Sequence, residues 1–355
     1  MRVGLDIGST TIKCVVLNDE NEIIYQSYER HFSQIVSKCG ELIEKLRSEI
    51  LKGDTARLSI SGSAGIGIAE SCKLPFVQEV YATRVAANRL LPGTDVVIEL
   101  GGEDAKILFL SGGMEVRMNG SCAGGTGAFI DQMATLLNIT SEEMNTLAAE
   151  HEKIYTIASR CGVFAKSDIQ PLLNQGAAKE DLALSAFHAI AKQTIGGLAQ
   201  GLEIESPVAF EGGPLTFNPV LVRVFSERLQ LEKEDILIPE HPELMIATGA
   251  ALSLKEMFAG SKKVAVADIL KKLEQIQQQK EEAKKNGTNI SLENEEKARP
   301  FFASVEEKAA FEKEHEKKKI TWKKPQKGEV VRGYLGIDAG STTTKFVLLS
   351  DNEEI

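Results

Sequence analysis

The stretch of sequence that decides the fold is Gly4-Leu-Asp-Ile-Gly-Ser-Thr-Thr-Ile-Lys-Cys-Val-Val-Leu17. Its alternating apolar residues predict two strands, Val3–Leu5 and Ile12–Asn18, on either side of a turn made of glycine and hydroxyl residues. A third strand at Glu22–Glu29 and an amphipathic helix over Ser33–Leu51 are expected to follow. Strands that alternate with helices in this way indicate an α/β fold.

The turn of this hairpin has the composition of a phosphate site. Gly8 lets the backbone turn tightly, so that free amides, the hydroxyls of Ser9 and Thr10 and the Lys13 cation meet at one point. Asp6 ends the first strand and is suited to hold Mg²⁺ through water, because Mg²⁺ retains much of its hydration shell. An ordinary polar hairpin is the alternative interpretation of the same residues.

The hairpin pattern recurs near the end of the sequence as Gly336-Ile-Asp-Ala-Gly-Ser-Thr-Thr-Thr-Lys-Phe-Val-Leu-Leu349. The acid, the glycine, the hydroxyls and the lysine stay the same, whereas Ile7 becomes Ala339 and Cys14 becomes Phe346. The repeat therefore favours phosphate chemistry over an ordinary hairpin, and it predicts a core position for Cys14. We expect residues 332–355 to be the first hairpin of a second, truncated unit.

Between the two hairpins the composition changes at about residue 259. Residues 259–331 are dense in Lys, Glu and Gln and are expected to form a charged linker that includes a solvated helix. Residues 1–258 are expected to form one α/β unit. Within it, further strands are expected at Arg57–Ser61, Asp95–Leu100, Lys106–Leu110, Glu115–Met118 and Val208–Phe210, and helices at about 126–138, 141–150, 180–203, 218–229 and 242–257.

Two more glycine turns follow predicted strands. In Val97-Ile-Glu-Leu-Gly-Gly-Glu-Asp-Ala-Lys106, Gly101 and Gly102 permit close backbone approach, and Glu99 and Asp104 could position metal-bound water. In Phe210-Glu-Gly-Gly-Pro214, the turn of Gly212, Gly213 and Pro214 could let a flat base or a ribose lie against the backbone. Each motif alone is a weak signal, because glycine pairs are common in turns.

Two cysteines lie in glycine-rich segments before predicted helices. Cys122 belongs to Asn119-Gly-Ser-Cys-Ala-Gly-Gly-Thr-Gly-Ala-Phe129, and Cys161 belongs to Ala158-Ser-Arg-Cys-Gly-Val-Phe-Ala-Lys-Ser-Asp168. A thiolate near a helix start is stabilised by free amides and by the helix dipole. A [4Fe–4S] cluster needs four thiolates, so this region would supply half of a ligand set. The alternative is two small residues in turns, without a metal.

Taken in this order, the two hairpins and the third glycine turn resemble the sugar kinase, Hsp70 and actin superfamily of ATP-binding folds. The resemblance implies a two-lobed α/β fold of duplicated, mixed-sheet, ribonuclease H-like halves with ATP and Mg²⁺ in the cleft. The first lobe would hold about 1–94 plus 242–258 and the second about 95–241. A Rossmann site is disfavoured, because Gly62-Ser-Ala-Gly-Ile-Gly67 has the wrong glycine spacing, and the sequence has no Walker A loop.

A narrower resemblance covers about residues 1–257. The sequence is similar to the activator, or component A, of the 2-hydroxyacyl-CoA dehydratases and to the benzoyl-CoA reductase ATPase subunits, the BadF/BadG/BcrA/BcrD ATPase family. The segments that carry it are the first hairpin, Gly101-Gly102 with Asp104-Ala-Lys106, Gly120-Ser-Cys-Ala-Gly-Gly-Thr-Gly127, Ser159-Arg-Cys161 with Phe164-Ala-Lys-Ser-Asp168, and Thr248-Gly-Ala-Ala-Leu252. The repeated hairpin points to the longer members of the family, in which two such units share one chain.

The resemblance implies an anaerobic, ATP-dependent single-electron donor. Cys122 and Cys161 would be ligands of a [4Fe–4S] cluster shared within a homodimer or an intramolecular pseudo-dimer. The implied partners are an iron–sulfur dehydratase or reductase that accepts the electron, and a low-potential donor such as ferredoxin or flavodoxin. Asp6, Glu99, Glu103 and Asp104 are the candidate catalytic residues. A small-molecule kinase, without iron, and a nucleotide-responsive scaffold without turnover are the alternative functions.

The sequence departs from the short activators at three points. Glu99 stands where Asp is usual, Glu103 stands where Gln is usual, and the segment 212–218 differs from the usual glycine-valine turn. These changes leave the expectation of nucleotide binding in place. They bear on the rate of hydrolysis and on which residue positions the attacking water.

Composition excludes other classes of function. The 355 residues carry a formal net charge of −10, which disfavours a general nucleic-acid binder. No apolar run is long enough for a membrane span, and the N-terminal sequence does not resemble a signal peptide, so we expect a cytoplasmic protein without a membrane partner. The five cysteines are widely spaced, which is typical of reduced thiols or metal ligands.

Overall fold

The computed structural model describes residues 1–51, 54–119, 124–159, 162–285, 301–302, 304–316, 326–340 and 343–351. The chain divides into two compact units, Met1–Asn286 and Gly287–Ile355. The first unit holds ten strands among its described residues: β1 (Arg2–Ile7), β2 (Thr11–Leu17), β3 (Ile23–Arg30), β4 (Thr55–Ser61), β5 (Val96–Leu100), β6 (Ala105–Phe109), β7 (Glu115–Met118), β8 (Val208–Glu211), β9 (Ile236–Leu237) and β10 (Val264–Ala265).

The helices of this unit surround and separate its strands. They are α1 (Ile35–Lys45), α2 (Ile66–Cys72), α3 (Glu79–Leu90), α4 (Gly127–Leu137), α5 (Glu143–Ala149), α6 (Gly162–Asn174), α7 (Lys179–Thr194), α8 (Gly213–Phe217), α9 (Pro219–Leu229), α10 (Met245–Glu256) and α11 (Val266–Lys285). Short π turns continue α1 over Leu46–Ile50 and α7 over Ile195–Ala199, and a 3₁₀ turn, Pro242–Leu244, precedes α10.

The strands form two sheets of the same design. The first sheet has the order β10-β4-β1-β2-β3, and the second has the order β7-β6-β5-β8-β9. In each, an antiparallel hairpin is extended by a third antiparallel strand on one side and by a parallel strand on the other. The prediction of a two-lobed fold from duplicated mixed-sheet halves is therefore confirmed.

Two helices lie between the sheets. Val85 of α3 and Ala247 and Ala251 of α10 share a buried cluster with β2, while Val80 and Ala87 of α3 pack on the second sheet. The two helices approach closely, because a Cβ on Gly249 would lie 1.9 Å from the carbonyl oxygen of Ala82. The small residues of the Thr248–Leu252 segment therefore serve helix packing.

The outer faces of the sheets are covered by the remaining helices. The largest cluster packs β5, β6 and β8 against α4, α5, α6, α7 and α9. On the first sheet, α1, α2 and α11 cover the other face, and Val266, Ile269 and Leu273 of α11 are buried there. The helix expected to be solvated thus has one apolar face in the core, and its outer face is charged.

The predicted elements agree with the structure at most positions, and three helices were not predicted. The predicted helix over Ser33–Leu51 is α1 with its π turn, and the strands of both hairpins lie within two residues of their expected bounds. The helix expected to begin after Cys161 is α6, and the unpredicted helices are α2, α3 and α8. α3 packs against both sheets and lacks a clear amphipathic pattern.

The second unit contains α12 (Val305–Glu314) and a hairpin of β11 (Gly333–Ala339) and β12 (Thr344–Ser350). Its register pairs Asp338 with Lys345, just as β1 and β2 pair Asp6 with Lys13. The repeat seen in the sequence is therefore also a repeat of backbone pairing. None of the described helices combines the length and the apolar character that a bilayer crossing needs.

Candidate functional site

A cavity of about 490 Å³ lies between the two sheets. Its walls come from both glycine hairpins, from the turn after β8 and from the start of α10. The lining includes Thr10, Lys13, Tyr28, Glu99, Gly101, Gly102, Glu211, Gly212, Gly213, Pro214, Phe217 and Met245. The structure therefore brings together three segments that the sequence analysis assigned to one nucleotide site.

The first hairpin presents a buried ion pair. Lys13 Nζ lies 2.6 Å from Asp6 Oδ2, and Asp6 is 1% exposed. Burial alone would lower the pKa of Lys13, but the charge of Asp6 and its hydrogen bond outweigh burial and raise that pKa above its usual value. The Gly8 amide donates to the carbonyl of Thr11 over 3.0 Å, which closes the turn. The pair thus fixes the Lys13 cation at the wall of the cavity, while Asp6, a predicted site residue, lies outside the lining.

The second hairpin repeats this pair and adds a second acid. Lys106 Nζ lies 3.0 Å from Glu99 Oε1 and 2.8 Å from Glu79 Oε2 of α3. Thr83 donates its hydroxyl to Glu99 Oε2 over 3.3 Å. Burial would lower the pKa of Lys106, but the charges of Glu99 and Glu79 raise it well above its usual value. Lys106 is therefore a permanent cation held between two carboxylates.

The two hairpins touch each other across the cavity. A Cβ on Gly102 would lie 2.4 Å from Thr10 Oγ1, so only glycine allows this approach. At the outer side, Arg30 of β3 lies 3.7 Å from Asp131 of α4. The two sheets are therefore in contact at both the inner and the outer part of the cleft.

The turn after β8 has the shape expected of a backbone-lined subsite. Gly212 has a φ of 95°, and a Cβ there would lie 2.0 Å from the carbonyl oxygen of Leu100, so glycine is required. A Cβ on Gly213 would lie 2.6 Å from the hydroxyl oxygen of Tyr28. Tyr28 also meets Phe217 edge-on, with ring centroids 5.5 Å apart. These two aromatic rings supply an apolar wall on which a flat base can lie.

Some predicted site residues lie outside the cavity lining. Ser9 and Glu103 are exposed and Asp104 is half-buried, and none of the three lines the cavity. The carbonyl of Asp104 accepts from the Gly101 amide over 2.7 Å, so this residue closes the second turn. Gly8 also stays outside the lining, although it shapes the first turn. The role expected of Glu103 and Asp104 in positioning water stays a prediction.

Six residues that the site description uses were not singled out from the sequence. They are Tyr28, Glu79, Thr83, Lys106, Glu211 and Phe217. The spacing carried a signal for one of them, because Lys106 follows Glu99 by seven residues, as Lys13 follows Asp6. Glu79 and Thr83 come from α3, a helix whose pattern is not amphipathic, and nothing local in the sequence places them beside the second hairpin.

The segments that follow the two candidate ligand cysteines are described, although Cys122 and Cys161 lie outside the described residues. At the start of α4, the amide of Gly127 donates to the carbonyl of Gly101 over 3.0 Å, and the amide of Ala128 donates to the carbonyl of Gly102 over 2.8 Å. At the start of α6, a Cβ on Gly162 would lie 2.1 Å from Gln132 Oε1 of α4. The second hairpin therefore contacts α4, and α4 in turn contacts the start of α6.

The other three cysteines are unsuited to ligate a metal. Cys14 and Cys39 are fully buried in the core of the first sheet, and Cys72 is partly buried beside them. Burial raises the pKa of Cys39 to about 12 and raises the pKa of Cys14 and Cys72 as well, so all three stay thiols at neutral pH. The core position predicted for Cys14 is confirmed. Among the described residues, no group of three or more His, Cys, Asp or Glu side chains could hold a metal ion.

The fold and the cleft define a two-lobed ATPase of the actin and Hsp70 class. A model of the BadF/BadG/BcrA/BcrD ATPase family matches residues 3–253, and the chain belongs to this family. The chain is 28% identical over 257 residues to the 2-hydroxyisocaproyl-CoA dehydratase activator of Clostridioides difficile, covering 70% of this chain and 93% of that protein.

Two solved structures share the fold. The crystal structure of component A of the Acidaminococcus fermentans (R)-2-hydroxyglutaryl-CoA dehydratase superposes with a TM-score of 0.66 and 29% identity, covering 73% of this chain and 98% of that one. The activator of the 2-hydroxyisocaproyl-CoA dehydratase of Clostridium difficile, with bound ADPNP, gives a TM-score of 0.62 and 25% identity, covering 82% and 99%. The class and the family expected from the sequence are therefore confirmed.

Proposed function

We propose that this ATPase is an activator that delivers single electrons to an iron–sulfur enzyme of the 2-hydroxyacyl-CoA dehydratase or benzoyl-CoA reductase kind. The observation that carries the proposal is the pair of hydrogen bonds from the start of α4 to Gly101 and Gly102. Through them a hairpin of the nucleotide cleft is joined directly to the segment that contains Cys122. The names of the relatives support the class of partner.

ATP with Mg²⁺ would occupy the cavity between the hairpins. Thr10, Lys13 and the backbone of Gly101 and Gly102 would hold the phosphates, and Asp6 would hold the hydrated Mg²⁺. Gly212, Gly213 and Pro214 would support the adenosine beside the Tyr28–Phe217 pair. The cavity is large enough for a nucleotide, since ligand pockets commonly measure about 300–1,000 Å³.

Movement of the second hairpin would be transmitted to the cysteines through α4. Any change in the position of Gly101 and Gly102 on nucleotide binding or hydrolysis acts on the first turn of α4 through its two amide donors. Gln132 of α4 is packed against Gly162, so the start of α6 would follow. Driving one electron against 100 mV costs about 2.3 kcal/mol, so a transfer against several hundred millivolts needs a driving reaction such as ATP hydrolysis.

A [4Fe–4S] cluster fits the donor set only if a second pair of cysteines joins Cys122 and Cys161. In the sequence, Cys161 directly precedes α6, and Cys122 stands five residues before α4. These two helices contact each other through Gly162 and Gln132, and the buried thiols of Cys14 and Cys39 are too basic to contribute. A homodimer, or a pseudo-dimer with a second unit of one chain, would complete four ligands. The cluster, when bound, supplies a site that takes up and releases one electron. A ferredoxin or flavodoxin in an anaerobic cytoplasm would be its source.

The test is an anaerobic purification of the chain followed by iron and sulfide analysis and electron paramagnetic resonance. We expect a brown protein with about one cluster per pair of units, and loss of iron in Cys122→Ala and Cys161→Ala. Cys72→Ala is the matched control and should keep its iron. A colourless, iron-free protein after anaerobic reconstitution, with ATP turnover that requires a small phosphate acceptor, would replace the proposal with the kinase alternative.

A further inference from the structure

Glu211 is a buried acid without a partner in the described part of the chain. It ends β8, is 1% exposed, and neither carboxyl oxygen has a hydrogen-bond partner. It lines the cavity between the sheets, directly before the Gly212–Gly213 turn. A buried polar group that makes no hydrogen bond destabilises the fold. Such a group at a cavity wall indicates that a ligand completes its hydrogen bonds.

The neighbouring strands offer Glu211 no cation. Lys106 of β6, Glu99 of β5 and Glu211 of β8 are in register, so their side chains lie in one row on the same face of the sheet. Lys106 is already bound to Glu99 and to Glu79 at 3.0 and 2.8 Å. Glu99 of the row and Glu79 of α3 therefore share Lys106, and Glu211, the other carboxyl of the row, is left without a counter-charge.

The first sheet contains an equivalent row of three residues, with a different residue at the position of Glu211. There the corresponding row is Lys13 of β2, Asp6 of β1 and Ser61 of β4, again in register across three strands. Ser61 is buried, and its hydroxyl has no partner among the described residues. Each sheet thus combines a lysine, an acid paired with that lysine, and a group without a partner among the described residues at the end of the parallel strand. In the first sheet that group is a neutral O–H donor.

We propose that Glu211 is held as a neutral carboxylic acid and donates its O–H to a phosphate oxygen of the bound nucleotide. This assignment rests on the nucleotide site of the proposed function. A carboxylate at this wall would repel a phosphate, whereas a carboxylic acid offers it an O–H donor. Glu211 is placed for this contact, because it lies between the phosphate hairpin at Gly101–Gly102 and the turn at Gly212–Gly213.

The electrostatic surroundings agree with a neutral side chain. Burial raises the pKa of Glu211 well above its usual value, the negative charge of Glu99 raises it further, and Lys106 lowers it only in part. The charged and titratable groups around it are Glu99 of β5, Lys106 of β6, Glu79 of α3, Asp6 and Lys13 of the first hairpin, and His241 with Glu243 at the 3₁₀ turn. Because several titratable groups surround Glu211, the experiment needs a matched variant.

The first experiment measures the affinity of the full chain for ADPNP with Mg²⁺ by calorimetry from about pH 5.5 to about pH 9. For the wild type, affinity should fall about tenfold per pH unit once the pH exceeds the pKa of Glu211. Glu211→Gln, which is neutral and still donates, should bind within about threefold of wild type at the acidic end and should lack this fall. Glu234→Gln, the same change at an exposed site of the second lobe, should keep the wild-type profile.

A second measurement keeps the proposal testable if the glutamine variant folds poorly. Glu211→Ser copies the residue at the equivalent position of the first sheet, and its pH profile should also be flat, with weaker binding throughout. In wild type, infrared spectroscopy should show the C=O band of a protonated carboxyl that shifts when ADPNP is added and is lost in either variant.

The outcomes separate the two proposals. Parallel pH profiles for wild type and both Glu211 variants, or a carboxyl band that ignores the nucleotide, would overturn the role of Glu211 while leaving the nucleotide site intact. If wild type binds no ADPNP at any pH, the nucleotide site of the proposed function fails as well.

Discussion

Lys106 and Glu99 form an ion pair of 3.0 Å across β5 and β6, and this pair reproduces the 2.6 Å pair of Lys13 and Asp6 across β1 and β2. In both hairpins the lysine follows the acid by seven residues, and one member of each pair, Lys13 or Glu99, lines the cavity. The hairpin of the second unit has the same spacing, with Lys345 3.0 Å from Asp338. The acid–lysine pair is therefore a property of the repeated hairpin, and the cleft combines two copies of it.

Lys106→Met should strongly destabilise the first unit. The substitution leaves the buried Glu99 and the partly buried Glu79 without a cation, and Glu99 lies next to Glu211. Removing one partner of a buried ion pair costs about 3–5 kcal/mol. Denaturant unfolding measures the loss, with Arg223→Met as control, because Arg223 pairs with Glu227 on the exposed surface of α9. The control should change stability by less than about 0.5 kcal/mol. Equal effects of the two substitutions would contradict the structural role given to Lys106.

The same glycine-to-alanine change should have opposite effects in two helices. In α10, a Cβ on Gly249 would lie 1.9 Å from the carbonyl oxygen of Ala82, so Gly249→Ala must push α10 away from α3 and lower the melting temperature. In α1, nothing lies within 4 Å of a Cβ on Gly40, so Gly40→Ala should stabilise by about 0.5–1 kcal/mol. Thermal unfolding of the two variants tests this, and a stable Gly249→Ala protein would show that the helices are not closely packed.

The fold was largely predictable because its signals are local. Alternating apolar residues gave the hairpins, and the repeated Gly-Ser-Thr turn identified the duplicated element. α3 was not predicted for a physical reason. It packs against both sheets, so its exposed polar residues, Arg84, Asn88 and Arg89, form a stripe too narrow to give a clear amphipathic pattern. Helices such as α3 were not predicted because the segments that bury them are distant in the sequence.

The site was predictable where glycine was needed and less so elsewhere. Gly102 and Gly212 are required by close approach of other backbone or side-chain atoms, and both were singled out. Glu211 was not, because its importance arises from its register with Glu99, which comes from pairing two strands far apart in sequence. Glu103 stands beside Gly102 in the sequence, yet its side chain is exposed. Adjacency to a glycine turn therefore does not place a side chain in the cavity.

The contribution of Glu79 to stability should disappear in acid. Burial would raise the pKa of Glu79, but the charge and hydrogen bond of Lys106 and the Ser63 amide lower it below its usual value. The stabilisation is therefore fully present above the pKa of the unfolded chain, about 4.3, and is lost as the pH falls through the lower folded pKa. The difference in unfolding free energy between wild type and Glu79→Gln should be constant from about pH 6 to about pH 8 and shrink below about pH 4. A difference that does not change with pH would show that the loss is one of packing.

Gly102→Ala should reduce ATP turnover without unfolding the protein. The added methyl group would lie 2.4 Å from Thr10 Oγ1, so the two phosphate hairpins would have to separate by part of an ångström. Because a misplacement of about 1 Å costs about a hundredfold in rate, we expect kcat to fall about ten- to a hundredfold. Steady-state phosphate release measures this, with Gly67→Ala in α2 as control, since nothing lies within 4 Å of a Cβ at that position. The control should keep wild-type kcat.

An unchanged kcat in Gly102→Ala, in a protein of unchanged melting temperature, would mean that turnover does not require the contact between Thr10 and Gly102. In that case the nucleotide would have to act on the hydrogen bonds between α4 and Gly101–Gly102 without help from the contact between the two hairpins.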